Sequence, residues 1–151
     1  MTAITYGGAA LKPDLLPEEV TFLMIKPDAV ASGYTASIIN ELETRGFVIF
    51  QMRSRDFYDF EARAFYAEHD GKPFFDALIV HTISGPVVGL LIRAPEAVAA
   101  LRDFIGDRCP ENARPGTLRA RYGVPHGGPA NAVHASDSRE AAAREAGLFF
   151  S

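Results

Sequence analysis

The chain has 151 residues and a mass of 16.4 kDa, which predicts one domain with a sizeable hydrophobic core. Its 48% hydrophobic content excludes a disordered chain, and its net charge of −4 argues against a general nucleic-acid binder, which needs a basic surface. Cys109 is the single cysteine, so the chain has no intramolecular disulfide and no cysteine-based metal site.

The first twenty residues lack the basic start and the apolar block of a signal peptide. No apolar run in the sequence approaches the roughly 18 residues of a membrane span. We therefore expect a cytoplasmic protein, in which residues 1–19 form an extension outside the core and residues 20–151 form the folded domain.

Hydrophobic patterns divide the domain into alternating strands and helices. Four apolar segments are predicted to be strands: Val20–Ile25, Phe47–Met52, Val87–Ile92 and Asn131–Val133. Helical spacing predicts helices between Gly33 and Gly46, at Glu61–His69, from Lys72 onward, from Pro95 to Ile105, and at Arg139–Ala146. This order predicts a ferredoxin-like βαββαβ sandwich, an α/β (α+β) fold in which helices cover an antiparallel sheet.

The segment from Asp107 to Ala130 shows no hydrophobic periodicity. It is long for a loop in a compact domain, and such loops are usually functional. It contains arginines that could gather around an anion together with Arg102 and with Lys26 at the end of the first strand: Arg108, Arg114, Arg119 and Arg121. Arginine forks and a lysine point charge neutralise phosphate oxygens well. For each arginine alone, a solvated surface position is the alternative.

His134 lies in the stretch Asn-Ala-Val-His-Ala-Ser-Asp-Ser at positions 131–138. Asp137 or Ser138 can cap the helix that follows, with Gly147 as its predicted end. A helix N-terminus can hold phosphate, and a neutral imidazole beside it can accept a phosphoryl group. The alternative is a surface or capping histidine without catalytic function.

Tyr66 and Phe74 have flat rings on which a nucleobase could stack. The alternative is that they pack in the core, as aromatics at helical spacing usually do. His126 could join His134 in binding a metal ion, but no carboxylate or further histidine lies at ligand spacing. We therefore expect no metal ligated directly by the protein.

Four blocks of the sequence resemble those of nucleoside diphosphate kinases, over roughly Thr21 to the C-terminus. The blocks are Thr21-Phe-Leu-Met-Ile-Lys-Pro-Asp28, Ser84-Gly-Pro-Val-Val88, Arg114-Pro-Gly-Thr-Leu-Arg119 and Asn131-Ala-Val-His-Ala-Ser-Asp-Ser138. Their order makes the resemblance specific. It implies a ferredoxin-like fold, a substrate carried as a Mg²⁺ nucleotide, and assembly into hexamers or tetramers.

The resemblance implies a role for each matching residue. His134 matches the histidine that is phosphorylated and then gives up the phosphate, and Ser136 and Glu145 match residues that orient its ring. Groups that hold the phosphates and the ribose hydroxyls are matched by Lys26, Arg102, Arg119 and Asn131. Tyr66 and Phe74 match the aromatics of the site, and Phe74 is the one that stacks on the base.

Three features depart from the common family pattern. Arg108 stands where the family usually has a phosphate-contacting threonine, so we assign Arg108 to nucleotide binding. Ala135 follows His134 in place of a glycine, and the stretch between Arg119 and Asn131 is about two residues longer. The phrase Arg119-Ala-Arg-Tyr-Gly123 is more similar to the divergent branch of the family, which includes weak or inactive kinases.

The resulting hypothesis is an enzyme that moves the terminal phosphate of a nucleoside triphosphate to a nucleoside diphosphate, with broad base preference. One alternative is a nucleotide-binding regulatory protein of the same fold with weak or no kinase activity. Another is a phosphohistidine carrier that passes its phosphate to another protein. We expect neither a membrane nor a specific nucleic acid as a partner.

Overall fold

The computed structural model describes residues 5–6, 9–10 and 18–151. Strands β1 (Thr5–Tyr6) and β2 (Ala9–Ala10) form a small antiparallel pair within the proposed N-terminal extension. The remainder of that extension, up to residue 17, lies outside the described residues. In the described part of the chain, no helix combines the length and apolar character that crossing a membrane requires.

The main sheet has four strands in the order β4-β5-β3-β6, and all neighbouring strands are antiparallel. They are β3 (Glu19–Ile25), β4 (Val48–Arg55), β5 (Val87–Ala94) and β6 (Val133–Ala135). The α-helices are α1 (Pro27–Ala31), α2 (Thr35–Thr44), α3 (Asp59–Phe65), α4 (Phe75–Thr82), α5 (Ala97–Ile105), α6 (Leu118–Tyr122) and α7 (Arg139–Phe149). The predicted ferredoxin-like α/β fold is confirmed.

The central strand β3 is buried on both faces because its apolar side chains alternate between two cores. Leu23 and Ile25 belong to the core that includes residues of α2 and α5. Phe22 and Met24 belong to an aromatic-rich core with residues of α3, α4 and α7. The sheet is therefore covered on both faces, and the C-terminal end of β3 delivers Lys26 to the interior.

The last strand is shifted from its predicted position at Asn131–Val133 to Val133–Ala135, so that it contains His134. The cause is local. Ala132 has a φ of 74°, and the Val133 amide donates to the Asn131 carbonyl over 2.9 Å, forming a γ-turn in place of extended backbone.

Helix α7 continues through Gly147, which was the predicted helix end, to Phe149. Phe149 is fully buried in the aromatic core, so tertiary packing outweighs the low helix propensity of glycine. The predicted helix Glu61–His69 is divided into α3 and a 3₁₀ turn at Ala67–His69. The segment 107–130 also contains structure that the pattern does not predict, namely α6 and a 3₁₀ turn at Pro110–Asn112.

Candidate active site

A cavity of about 670 Å³ brings together residues that are far apart in the sequence. All but one of the predicted site residues line it: Lys26, Tyr66, Phe74, Arg102, Arg108, Arg119, Asn131, His134 and Glu145. Ser136 is the exception, because it does not line the cavity. It is buried, and its hydroxyl has no hydrogen-bond partner among the described residues.

His134 lies on β6 opposite Met24, with a side chain that is 19% exposed. Its Nε2 contacts the buried carboxylate of Glu145. The rings of Phe65 and Tyr66 pack edge-on to the imidazole, with centroids 5.4 and 5.6 Å away. Because a carboxylate accepts the Nε2 hydrogen, the neutral ring keeps its lone pair on Nδ1, the nitrogen suited to nucleophilic attack.

The helix after His134 is capped by Ser138, whose Oγ accepts a hydrogen bond from the Ala141 amide over 3.0 Å. One of the two predicted caps is therefore confirmed. Asp137 lines the cavity, but among the described residues none in the first turn of α7 does so. The use of this helix N-terminus as a phosphate site stays a prediction.

Lys26 is 4% exposed and donates from Nζ to Asn131 Oδ1 over 3.0 Å. The Asn131 amide in turn donates to the Arg108 carbonyl over 2.9 Å. The pKa of Lys26 is lowered to about 7, mainly by burial, with Asp28 opposing the shift and the positive charge of Arg119 adding to it. An anion bound in the cavity would favour the charged form of this lysine.

Arg102 and Arg119 are held by backbone carbonyls. Arg119 donates to Gly106 O over 3.1 Å and to Val133 O over 2.9 Å, and Arg102 donates to Ala135 O over 3.1 Å. Burial and the neighbouring Arg102 lower the pKa of Arg119 to about 10. Within the described part of the chain neither guanidinium forms a salt bridge to a carboxylate, so their positive charge is available to a bound anion.

Phe74 and Tyr66 differ in exposure. Tyr66 is 3% exposed, and burial, reinforced by Glu145, raises the pKa of its phenol, so it remains neutral. Phe74 is 43% exposed at the cavity, and the Lys72 ammonium lies 5.8 Å from its ring centroid. An exposed ring of this kind can stack with a base. Of the two aromatics, only Tyr66 packs in the hydrophobic core.

Several cavity-lining residues were not predicted from the sequence. His69 and Lys72 contact each other, with Nδ1 and Nζ 3.0 Å apart, and the His69 ring lies edge-on to Phe74. Glu68 and Cys109 also line the cavity. The adjacency of Lys72 to the Pro73-Phe74 pair was the one available signal in the sequence.

Other candidates lie elsewhere. Arg114 pairs with Asp103 and Arg121 with Glu41, and neither arginine lines this cavity. Exposed His126 pairs with Glu111. Among the described residues, no group of three or more His, Cys, Asp and Glu side chains is placed to hold a metal ion.

Comparison with known proteins gives a consistent result. Residues 19–151 match the family model described as nucleoside diphosphate kinase. The chain is 42% identical to the nucleoside diphosphate kinase of Carboxydothermus hydrogenoformans over 132 residues, which are 87% of each chain. It is 44% identical to that of Pelotomaculum thermopropionicum over 133 residues, which are 88% of each chain.

Solved structures agree with this result. The nucleoside diphosphate kinase of Aquifex aeolicus superposes with a TM-score of 0.84 at 36% identity, covering 89% of this chain and 96% of that one. That of Halobacterium salinarum, solved in complex with CDP, gives a TM-score of 0.82 at 37% identity, with 88% of each chain covered.

The fold is that of a phosphotransferase, and its cavity is lined by lysine and arginine side chains. The chain belongs to the nucleoside diphosphate kinase family.

Proposed function

We propose that this protein transfers the γ-phosphate of a nucleoside triphosphate to a nucleoside diphosphate through a covalent phosphohistidine on His134. The observation that carries the proposal is the Glu145 carboxylate at Nε2 of a partly exposed imidazole that lines a cationic cavity. This pairing leaves Nδ1 as the nucleophilic atom and stabilises the ring as it gains positive charge.

In the first half-reaction, the Nδ1 lone pair forms a bond to the γ-phosphorus while the bond from that phosphorus to the bridging oxygen breaks. The nucleoside diphosphate leaves with the bridging oxygen. In the second half-reaction, a terminal oxygen of another diphosphate attacks the phosphorus and the N–P bond breaks. One pocket serves both nucleotides in turn, because each product vacates the site that the next substrate fills.

The cations of the cavity hold the phosphates. Lys26, Arg102 and Arg119 offset the charge on the transferring group, and Asn131 positions Lys26. Arg108, which is exposed, adds a further guanidinium to the cavity lining. We further propose that Ser136 helps to orient the imidazole, although its buried hydroxyl makes no hydrogen bond to the ring among the described residues.

Magnesium fits this site as an ion carried by the nucleotide. The cavity is lined by five lysine and arginine side chains, and Asp137 offers a carboxylate that could bind water molecules of a hydrated ion. When bound, Mg²⁺ offsets phosphate charge. Phe74 supplies the stacking surface for the base, which supports a broad base preference.

We also propose a homo-oligomer, a hexamer or a tetramer, in the cytoplasm. The free Cys109 supports a reducing compartment. Exposed apolar residues on the edge strand β4, Phe50 and Met52, support burial of that edge in an assembly.

The test is a phosphorylation and exchange experiment with wild-type protein and a His134→Ala variant. Incubation with triphosphate alone should leave one acid-labile, base-stable phosphate per chain, and any added diphosphate should remove it. His134→Ala should abolish turnover while leaving nucleotide binding largely intact, since Phe74, Lys26 and the arginines remain. Normal turnover by His134→Ala would contradict the mechanism, and a preference above about 10³-fold for one base would contradict the broad specificity.

The same experiment separates the alternatives. A regulatory nucleotide-binding protein would bind nucleotide without forming the phosphoenzyme. A phosphohistidine carrier would form it but would not return phosphate to diphosphates. The observed Glu145–His134 pairing favours the kinase over the binding protein, because a binding protein has no need of an oriented nucleophile.

A further inference from the structure

The turn that carries Asn131 and His134 is strained. Its central residue, Ala132, is fully buried and has a φ of 74°, a conformation that L-residues other than glycine rarely adopt. Strained backbone of this kind persists only where the surrounding structure holds it in place. The contacts that hold Ala132 therefore contribute to the location of His134, two residues later, together with the pairing of β6 and the contact with Glu145.

Both polar backbone groups of Ala132 are held by the segment after β3. The Ala132 amide donates to Asp28 Oδ2 over 3.0 Å, and the Ala132 carbonyl accepts from the Lys26 amide over 2.8 Å. The other Asp28 oxygen, Oδ1, lies 2.9 Å from Nε2 of His81. Asp28 is thus a bridge between the strained turn and a histidine on α4.

His81 and Asp28 lie outside the cavity lining, with side chains that are 17% and 10% exposed. His81 is close to the C-terminal end of α4, whose N-cap residue is Phe74. The bridge therefore connects the helix that begins at the proposed base-stacking ring to the turn that holds the proposed nucleophile.

We propose that His81 and Asp28 are positioning residues for phosphoryl transfer. Asp28 holds the strained Ala132 turn, and His81 holds Asp28 in the orientation that this requires. The inference rests on the proposed function, in which His134 Nδ1 is the nucleophile. His81 and Asp28 would place His134 and Asn131 without contacting the nucleotide themselves. Displacement of a reacting group by about 1 Å can cost on the order of a hundredfold in rate, so a modest shift of the turn would be measurable.

The experiment compares four variants of the full-length protein. His81→Leu removes the donor, and His81→Gln keeps an amide donor near the position of Nε2. The double variant His81→Leu/Ala132→Gly also removes the strain, since glycine adopts positive φ at little cost. His126→Asn is the matched control, because His126 is an exposed histidine that does not line the cavity. Asparagine tolerates the positive φ of 57° at this position.

His81→Leu should lower kcat by about tenfold to a hundredfold with KM changed less than about threefold, because the phosphate-binding cations remain. His81→Gln and His126→Asn should stay within about threefold of wild type. Adding Ala132→Gly to His81→Leu should restore most of kcat, because an unstrained turn no longer needs the Asp28–His81 bridge to hold it. Wild-type kcat in His81→Leu, or no recovery in the double variant, would overturn the proposal.

A readout independent of activity keeps this test separate from the proposed function. Hydrogen exchange of the Ala132 amide, followed by NMR, should be faster in His81→Leu than in wild type or His81→Gln. If the wild-type protein formed no phosphoenzyme, the proposed function would fail. The exchange measurement would still decide whether the Asp28–His81 bridge holds the Ala132 turn. Unchanged exchange in His81→Leu would refute the proposed role of the Asp28–His81 bridge, whatever the activity.

Discussion

Lys26 combines nearly complete burial with a pKa of about 7, which burial lowers from the ordinary value near 10.5. Only the protonated amine attracts phosphate, so its contribution to binding is present below pH 7 and is lost as the pH rises through 7 in the free protein. Bound phosphate favours the proton, so the pKa rises in the complex. We therefore expect the nucleotide affinity to depend on pH through this residue.

Nucleotide affinity should fall by up to about tenfold per pH unit between pH 7 and the higher pKa of the complex. Calorimetric titration with a diphosphate from pH 6 to 9 measures this slope. The Lys26→Met variant should bind more weakly at pH 6 and should lose the part of the slope that is due to Lys26. An equal slope in both proteins would assign the pH dependence to another group.

Arg108 is an exposed residue that lines the cavity. Because exposed charge pairs contribute little, Arg108→Ala should raise KM for the nucleotide by roughly two- to fivefold, more at low salt than at high salt. Arg114→Ala is the matched control, since Arg114 is exposed, pairs with Asp103 and lies outside this cavity. Unchanged kinetics in Arg108→Ala would make Arg108 an ordinary surface residue.

The sequence predicted which residues line the cavity better than it predicted how they are held. The motif around His134 and the separate blocks around Lys26 and Arg119 identified the groups that the fold brings together. The contact of His134 with Glu145, the buried state of Ser136 and the Asp28–His81 bridge depend on side-chain placement across the fold. No local pattern encodes such contacts between residues distant in the chain.

Helix α7 packs on the sheet through a close contact between Phe149 and Gly89 of β5. A methyl group at Gly89 would lie 2.3 Å from Phe149 Cε1, which is too close for any side-chain contact. Gly89→Ala should therefore destabilise the protein by about 1–3 kcal/mol, as overpacked cores do. Urea unfolding measures this, and Gly85→Ala, where a methyl group meets no atom within 4 Å and φ is not positive, should change stability little.

Tertiary contacts also explain which element boundaries the sequence predicted poorly. The strands β3 and β5 and the helix α5 were predicted nearly as found, because apolar patterns of their own define them. The end of α7 and the position of β6 follow from tertiary contacts. The burial of Phe149 extends α7 past Gly147. The turn at Ala132 makes β6 begin two residues later than predicted. Local propensity is a weak prior where such contacts decide.

At the scale of the whole molecule, the sheet has an edge that the single chain leaves exposed. Strand β4 is the edge strand, and Phe50 and Met52 on it are 42% and 59% exposed. An edge strand with exposed apolar side chains is a template for pairing with another chain. Pairing of this edge with the same edge of a second copy would form a two-fold symmetric interface.

We expect sedimentation equilibrium at micromolar concentration to give a mass of four or six times 16.4 kDa, in line with the proposed tetramer or hexamer. Met52→Glu should reduce this mass, because a charge at the buried edge would have to be desolvated without a partner. Val80→Glu is the matched control, since Val80 is an apolar side chain 66% exposed on helix α4, away from the edge. A wild-type monomer would refute the oligomer, and an equal loss of mass in both variants would place the interface elsewhere than at β4.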